Sequence, residues 1–99
     1  MIPNYQELMQ PFLQIAYKAH HNGQVNEVKL RDVINQLAEQ FNLTDEERTE
    51  TLPSGKQPVL DNRVGWARTY LTKAGLLDVT RRAHFVITPR GIEAVSYTH

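Results

Sequence analysis

Apolar residues recur at three- and four-residue spacings in three stretches of this chain, and shorter apolar runs fill the last quarter. Tyr5, Leu8, Met9, Phe12, Ile15, Ala16 and Ala19 share one face of a helix running from about Tyr5 to His20. Pro11 interrupts that pattern, so it either opens the main helix after a preceding turn or kinks one long helix. Leu30, Val33, Ile34, Leu37, Ala38 and Phe41 define a second helix. Leu60, Val64, Ala67, Leu71 and Ala74 line one side of a third, at roughly 100° per residue. Between the first two, His20 to Gln24 reads as a connection and Val25 to Leu30 as a short strand.

Capping and turn residues sharpen these boundaries. Thr44 and Glu47 have the spacing at which each side chain satisfies the other's backbone N–H, so a short acidic helix should run to about Glu50. Leu52 to Pro58 is a loop, and Pro58 suits the first position of the third helix, where its missing N–H has no partner anyway. Gly75 supplies the left-handed residue that ends this helix. Leu76 to Thr80 and His84 to Thr88 read as two strands joined through Arg81, Arg82 and Ala83. Thr88 and Pro89 then form an N-cap and first position for a terminal helix through Val95. The class this order predicts is α+β, mostly helical: a winged helix-turn-helix with a small antiparallel wing hairpin. Residues 1–99 make a single domain, with a recognition helix at about 58–74, the wing at about 76–88 and the terminal helix at about 89–96.

Size allows one hydrophobic core and no second one. The absence of cysteine excludes disulfides and thiolate metal sites. No basic, apolar leader opens the chain and no run reaches membrane-spanning length, so a soluble cytoplasmic protein is expected. Net charge is formally zero, but it is unevenly spread. Through Leu52, four bases face eight acids, a balance of −4; from Pro53 onward, seven bases face three acids, a balance of +4. Such asymmetry points to a polyanion-binding surface, unless the two halves simply neutralise each other across the fold. The cations of the second half fall on the third helix and the hairpin.

Catalytic motifs are tested and mostly dismissed. Glu27-Val-Lys29 matches half of a metal-dependent nuclease site, but only Glu7, inside the first helix, is available as the upstream carboxylate. Gly55-Lys56 lacks both the earlier glycine and the following Ser or Thr of a phosphate-binding loop. His20 and His21 lack further ligands nearby, and no serine stands in a triad context. No enzymatic activity, cofactor or metal is therefore expected of this chain.

The candidate chemistry is recognition of double-stranded DNA. Opposite the apolar stripe of the third helix lie Asn62, Gly65, Thr69, Thr72 and Lys73, with Arg68 to one side. Asn62 and Thr69 are candidates for base edges in the major groove, and Gly65 for close backbone approach. Lys56, Arg63, Arg68 and Lys73 are candidates for phosphates, and Arg81 and Arg82 would reach an adjacent backbone or minor groove from the wing. Arg63 could equally pair with an acid of the first half. Trp66 and Tyr70 either meet a base or methyl group, or close the core against the first helix with their polar atoms at the rim; the second reading is preferred. A competing function is a protein-interaction or dimerisation module that docks through the acidic helix near Glu46 and Glu47.

Ile2-Pro-Asn-Tyr5, Leu52-Pro-Ser-Gly-Lys56, Asp61-Asn-Arg-Val-Gly-Trp-Ala-Arg-Thr-Tyr70, Lys73-Ala-Gly-Leu-Leu77 and Ile87-Thr-Pro-Arg-Gly91 resemble the N-terminal domain of Mrr-type restriction proteins. The resemblance covers nearly the whole chain, and its central motif is fairly specific. It implies a winged-helix domain that, in full-length relatives, delivers a C-terminal metal-dependent endonuclease to DNA, commonly methylated DNA. The sequence stops at His99, where relatives continue into the nuclease, so cleavage is not carried over. An excised domain and a standalone binder, alone or as a homo-oligomer, both fit. Methyl specificity is implied by the resemblance alone.

Overall fold

A computed structural model describes residues 2–20 and 26–97. Five helices and three short strands follow one another in the order α1 (Tyr5–Ala19), β1 (Val28–Lys29), α2 (Leu30–Gln40), α3 (Asp45–Thr49), α4 (Val59–Lys73), β2 (Leu77–Arg81), β3 (His84–Ile87) and α5 (Pro89–Tyr97). The architecture is α+β and mostly helical, with one three-stranded antiparallel sheet in the order β1-β3-β2. The expected strand before α2 is present as β1, although Val25 and the connection at residues 21–24 lie outside the described residues.

α1 begins with a reciprocal cap that parallels the one foreseen at Thr44. The Asn4 side chain accepts from the Glu7 N–H at 2.9 Å, and the Asn4 N–H donates back to Glu7 at 3.4 Å. Of the two readings of Pro11, one continuous helix is found; its ring leaves the carbonyl one turn earlier without an intrahelical donor. Thr44 and Glu47 cap α3 in the same reciprocal way. Pro58 differs from expectation by one position. It is extended (φ −61°, ψ 142°) and serves as the N-cap of α4, because it is bridged to Thr51 across the intervening loop.

That loop is closed rather than loose. Leu52 N–H donates to Gln57 O at 2.9 Å, Gly55 N–H to Leu52 O at 2.7 Å, and Val59 N–H to Glu50 O at 2.7 Å. At its other end, α4 stops in a paired cap: Gly75 N–H reaches Thr72 O, Leu76 N–H reaches Leu71 O, and Gly75 takes the left-handed φ of 77°. Thr88 then ties the elements together, its hydroxyl donating to Gly75 O at 2.6 Å and accepting from Gly91 N–H at 3.0 Å.

One core runs through all the long elements. Leu8, Phe12 and Ala16 of α1, Val33 and Leu37 of α2, Leu60, Val64, Ala67 and Leu71 of α4, and Leu77, Phe85 and Ile87 of the sheet are all buried. Phe12 meets Phe85 edge-on, with ring centroids 6.0 Å apart. In β3, Phe85 and Ile87 point inward and Val86 is only half-buried, as strand alternation demands. With its apolar stripe locked in this core, α4 turns its opposite face outward.

Candidate nucleic-acid interface

The outward face of α4 forms one wall of an open groove of about 320 Å³, lined by Gln57, Asn62, Gly65, Trp66, Arg68 and Thr69. Four of the residues singled out in the sequence for DNA contact, Asn62, Gly65, Arg68 and Thr69, are therefore brought together. Gln57 enters because the closed loop folds back on the helix, and Asn62 donates to its side-chain oxygen at 3.3 Å. Lys56, the adjoining loop residue, is exposed, as is Lys73 in the last turn of the helix.

Within the groove the polar groups are already partly oriented. Thr69 donates its hydroxyl to Gly65 O at 3.0 Å, which leaves the hydroxyl oxygen as an acceptor for an incoming ligand. The guanidinium carbon of Arg68 lies 5.9 Å from the centroid of the Phe85 ring, a cation–π contact that holds the side chain at the edge of the groove it lines. A Cβ added at Gly65 would meet no atom of the chain within 4 Å. Glycine costs a helix interior about 1 kcal/mol relative to alanine, and nothing within the fold requires it here.

Electrostatics favour an anion on this side. Asp61 is the one acid in α4, and it is engaged by Arg31 of α2 at 3.1 Å, with its own side chain only 14% exposed. Arg68 and Lys73 thus face no competing carboxylate of their own helix, and Lys56 stands in the loop just before it.

Two sequence expectations change. Among the described residues Arg63 pairs with no acid of the first half; its guanidinium donates to the main-chain carbonyls of Ile2 at 2.7 Å and Pro3 at 3.3 Å, tying the N-terminal segment to α4. Trp66 does not close the core. It is 51% exposed and lines the groove, whereas Tyr70, 42% exposed, stacks on Tyr5 of α1 with centroids 5.0 Å apart. The spacing signal for Trp66 was present: roughly 100° per residue puts it about 200° around the helix from Val64.

On the hairpin, Arg81 and Arg82 are both exposed. Ala83 takes a left-handed φ of 61° at the turn, and its carbonyl accepts from Leu30 N–H at 2.8 Å. Arg81 is not free, because it pairs with Glu27 at 3.2 Å. Glu27 also accepts from the Thr80 hydroxyl. That hydrogen bond, with the Arg81 charge behind it, holds the Glu27 carboxyl below its ordinary value of 4.5. Glu27 of that sequence motif thus clasps across the sheet, and no group of three potential metal ligands occurs among the described residues. No helix of the described residues is long and apolar enough to cross a membrane.

Comparison with known proteins gives this geometry a family. The Mrr N-terminal domain matches residues 5–96. Type IV methyl-directed restriction enzyme EcoKMrr of Escherichia coli (strain K12) is 30% identical over 95 residues, which is 96% of this chain and 29% of that protein. The chain thus spans under a third of that relative's length. No solved structure matches it significantly. From the family match over nearly its whole length, the chain belongs to the Mrr N-terminal domain family.

Proposed function

We propose that this chain binds double-stranded DNA and acts as the targeting module of a restriction-type system directed at modified DNA, with no catalytic activity of its own. The observation that carries the reading is the groove on α4, where Asn62, Gly65, Arg68 and Thr69 converge on a face stripped of free acid. In this reading the fold is a winged helix, α4 enters the major groove, and β2 and β3 form the wing. The major groove admits an α-helix and displays a distinct pattern for each base pair. Asn62, Gln57 and Thr69 meet base edges; Lys56, Arg68, Lys73 and Arg82 meet phosphates, which fix position without reading sequence. Arg63 is left out, since its guanidinium is engaged by the N-terminal segment. Membership of the family supports the restriction context, and the methyl-directed relative supports modified DNA as the target. The chemistry of cleavage belongs, in this reading, to a nuclease domain acting beside this one.

Trp66 is the chain's single tryptophan and stands at the groove, so it reports on occupancy. Titration with a mixed-sequence duplex should quench its emission saturably, and added salt should restore it. Unchanged emission, with no association by gel shift at low salt, would overturn the reading.

The row of rings formed by Tyr5, Tyr70 and Trp66 favours a second reading, a protein-contact face, since exposed aromatics dominate such interfaces. Concentration-dependent sedimentation that Trp66→Ala abolishes, without DNA binding, would select it.

A further inference from the structure

We infer that Glu27 is a built-in competitor for the wing: it occupies Arg81 in the free protein and sets how readily the hairpin engages a phosphate backbone. The inference rests on the DNA-binding reading given above. Glu27 stands just before β1, and both groups that it engages, the Thr80 hydroxyl and the Arg81 guanidinium, belong to β2 on the far side of the central strand. The carboxylate therefore reaches across the outer face of the sheet and draws Arg81 back along it. Register helps, because the irregularity in β2 between Val79 and Arg81 places Arg81 opposite His84, at the end of the hairpin nearest the turn.

The clasp is not needed to hold the hairpin. β3 is already paired with both neighbours, and the turn is anchored by Leu30 N–H on Ala83 O at 2.8 Å. What the clasp changes is charge. A guanidinium beside a carboxylate presents almost no net charge to an approaching phosphate, so of the two wing arginines Arg82 remains as the full cation. A duplex that merely brushes the wing meets a carboxylate as well as an arginine. A duplex seated on α4 holds its phosphate against Arg81 long enough to displace Glu27. Glu27 thus weakens indiscriminate contact more than seated contact, which makes it a determinant of specificity on the wing.

The test is fluorescence anisotropy with a labelled mixed-sequence duplex, comparing wild type, Glu27→Gln, Arg81→Ala and the double variant. Glutamine keeps the shape and one acceptor while removing the charge. The Glu27→Gln variant should bind about two- to fivefold tighter. The gain should vanish when Arg81 is alanine, and the thermal midpoint should stay within about 4 °C of wild type. Unchanged or weaker binding by Glu27→Gln would overturn the inference while leaving the DNA-binding reading intact. A gain that persists without Arg81 would also overturn it, as a general charge effect. Failure of the wild type itself to bind at low salt would instead remove the reading on which it rests.

Discussion

Arg63 of α4 donates from its guanidinium to the main-chain carbonyl of Ile2, 2.7 Å away and 61 positions earlier in the chain. The contact is partly buried, and it ties the first residues of the protein to the helix that carries the groove. Charge-assisted hydrogen bonds contribute about 1.5–3 kcal/mol. Arg63→Ala should therefore lower stability by about that amount in urea unfolding, while the salt slope of DNA binding stays unchanged. A variant as stable as wild type but with a shallower salt slope would show that Arg63 serves phosphate instead.

Gly65 gives a prediction of opposite sign. Alanine fits the space, since nothing lies within 4 Å of the added Cβ, and it removes the entropy cost of glycine in a helix. Gly65→Ala should raise stability by about 0.5–1 kcal/mol. It should also weaken duplex binding if the bare backbone is approached closely. Unfolding and anisotropy on the same preparation separate the two effects.

Gly91 behaves differently because its surroundings are full. A Cβ there would lie 2.3 Å from Leu76 O and 2.7 Å from Ile87 Cγ1, so backbone must move. Gly91→Ala should cost about 1–3 kcal/mol as overpacking where α5 meets Leu76 and the end of β3. Thermal unfolding checks this directly.

The Glu27 clasp has a pH signature. Because its carboxyl is held below 4.5 by the Thr80 hydroxyl and by Arg81, the clasp is complete above that pH and is lost as pH falls through the lower folded value. Carboxyl carbon NMR should give a midpoint for Glu27 under 4.5, and Thr80→Val should move it upward. A midpoint at or above 4.5 in the wild type would contradict the clasp.

How far the sequence revealed this structure depended on the range over which each feature is encoded. α4 and its stop at Gly75 were legible because an apolar stripe and a left-handed cap are local patterns. The cap of α3 was legible for the same reason, and the Asn4–Glu7 cap carries an equally local signal, an Asn with a Glu three residues on. Trp66 departs from the core-closing expectation because helical angle carries it away from the apolar stripe, whereas Tyr70 turns onto Tyr5 of α1. Arg63 with Ile2, and Glu27 with Arg81, join residues 61 and 54 positions apart, and no spacing rule connects them. The groove was half legible: Asn62, Arg68 and Thr69 share a helix face, whereas Gln57 joins them only through the closed loop.

The most direct test of the central claim is duplex anisotropy at 50 and 200 mM salt for the wild type and for Asn62→Ala/Thr69→Ala. With about four phosphates engaged, wild-type affinity should fall about a hundredfold between these conditions, and the double variant should bind more weakly at both while remaining folded. A flat salt response, or binding indifferent to Asn62 and Thr69, would contradict the assignment of α4 as the DNA-reading helix.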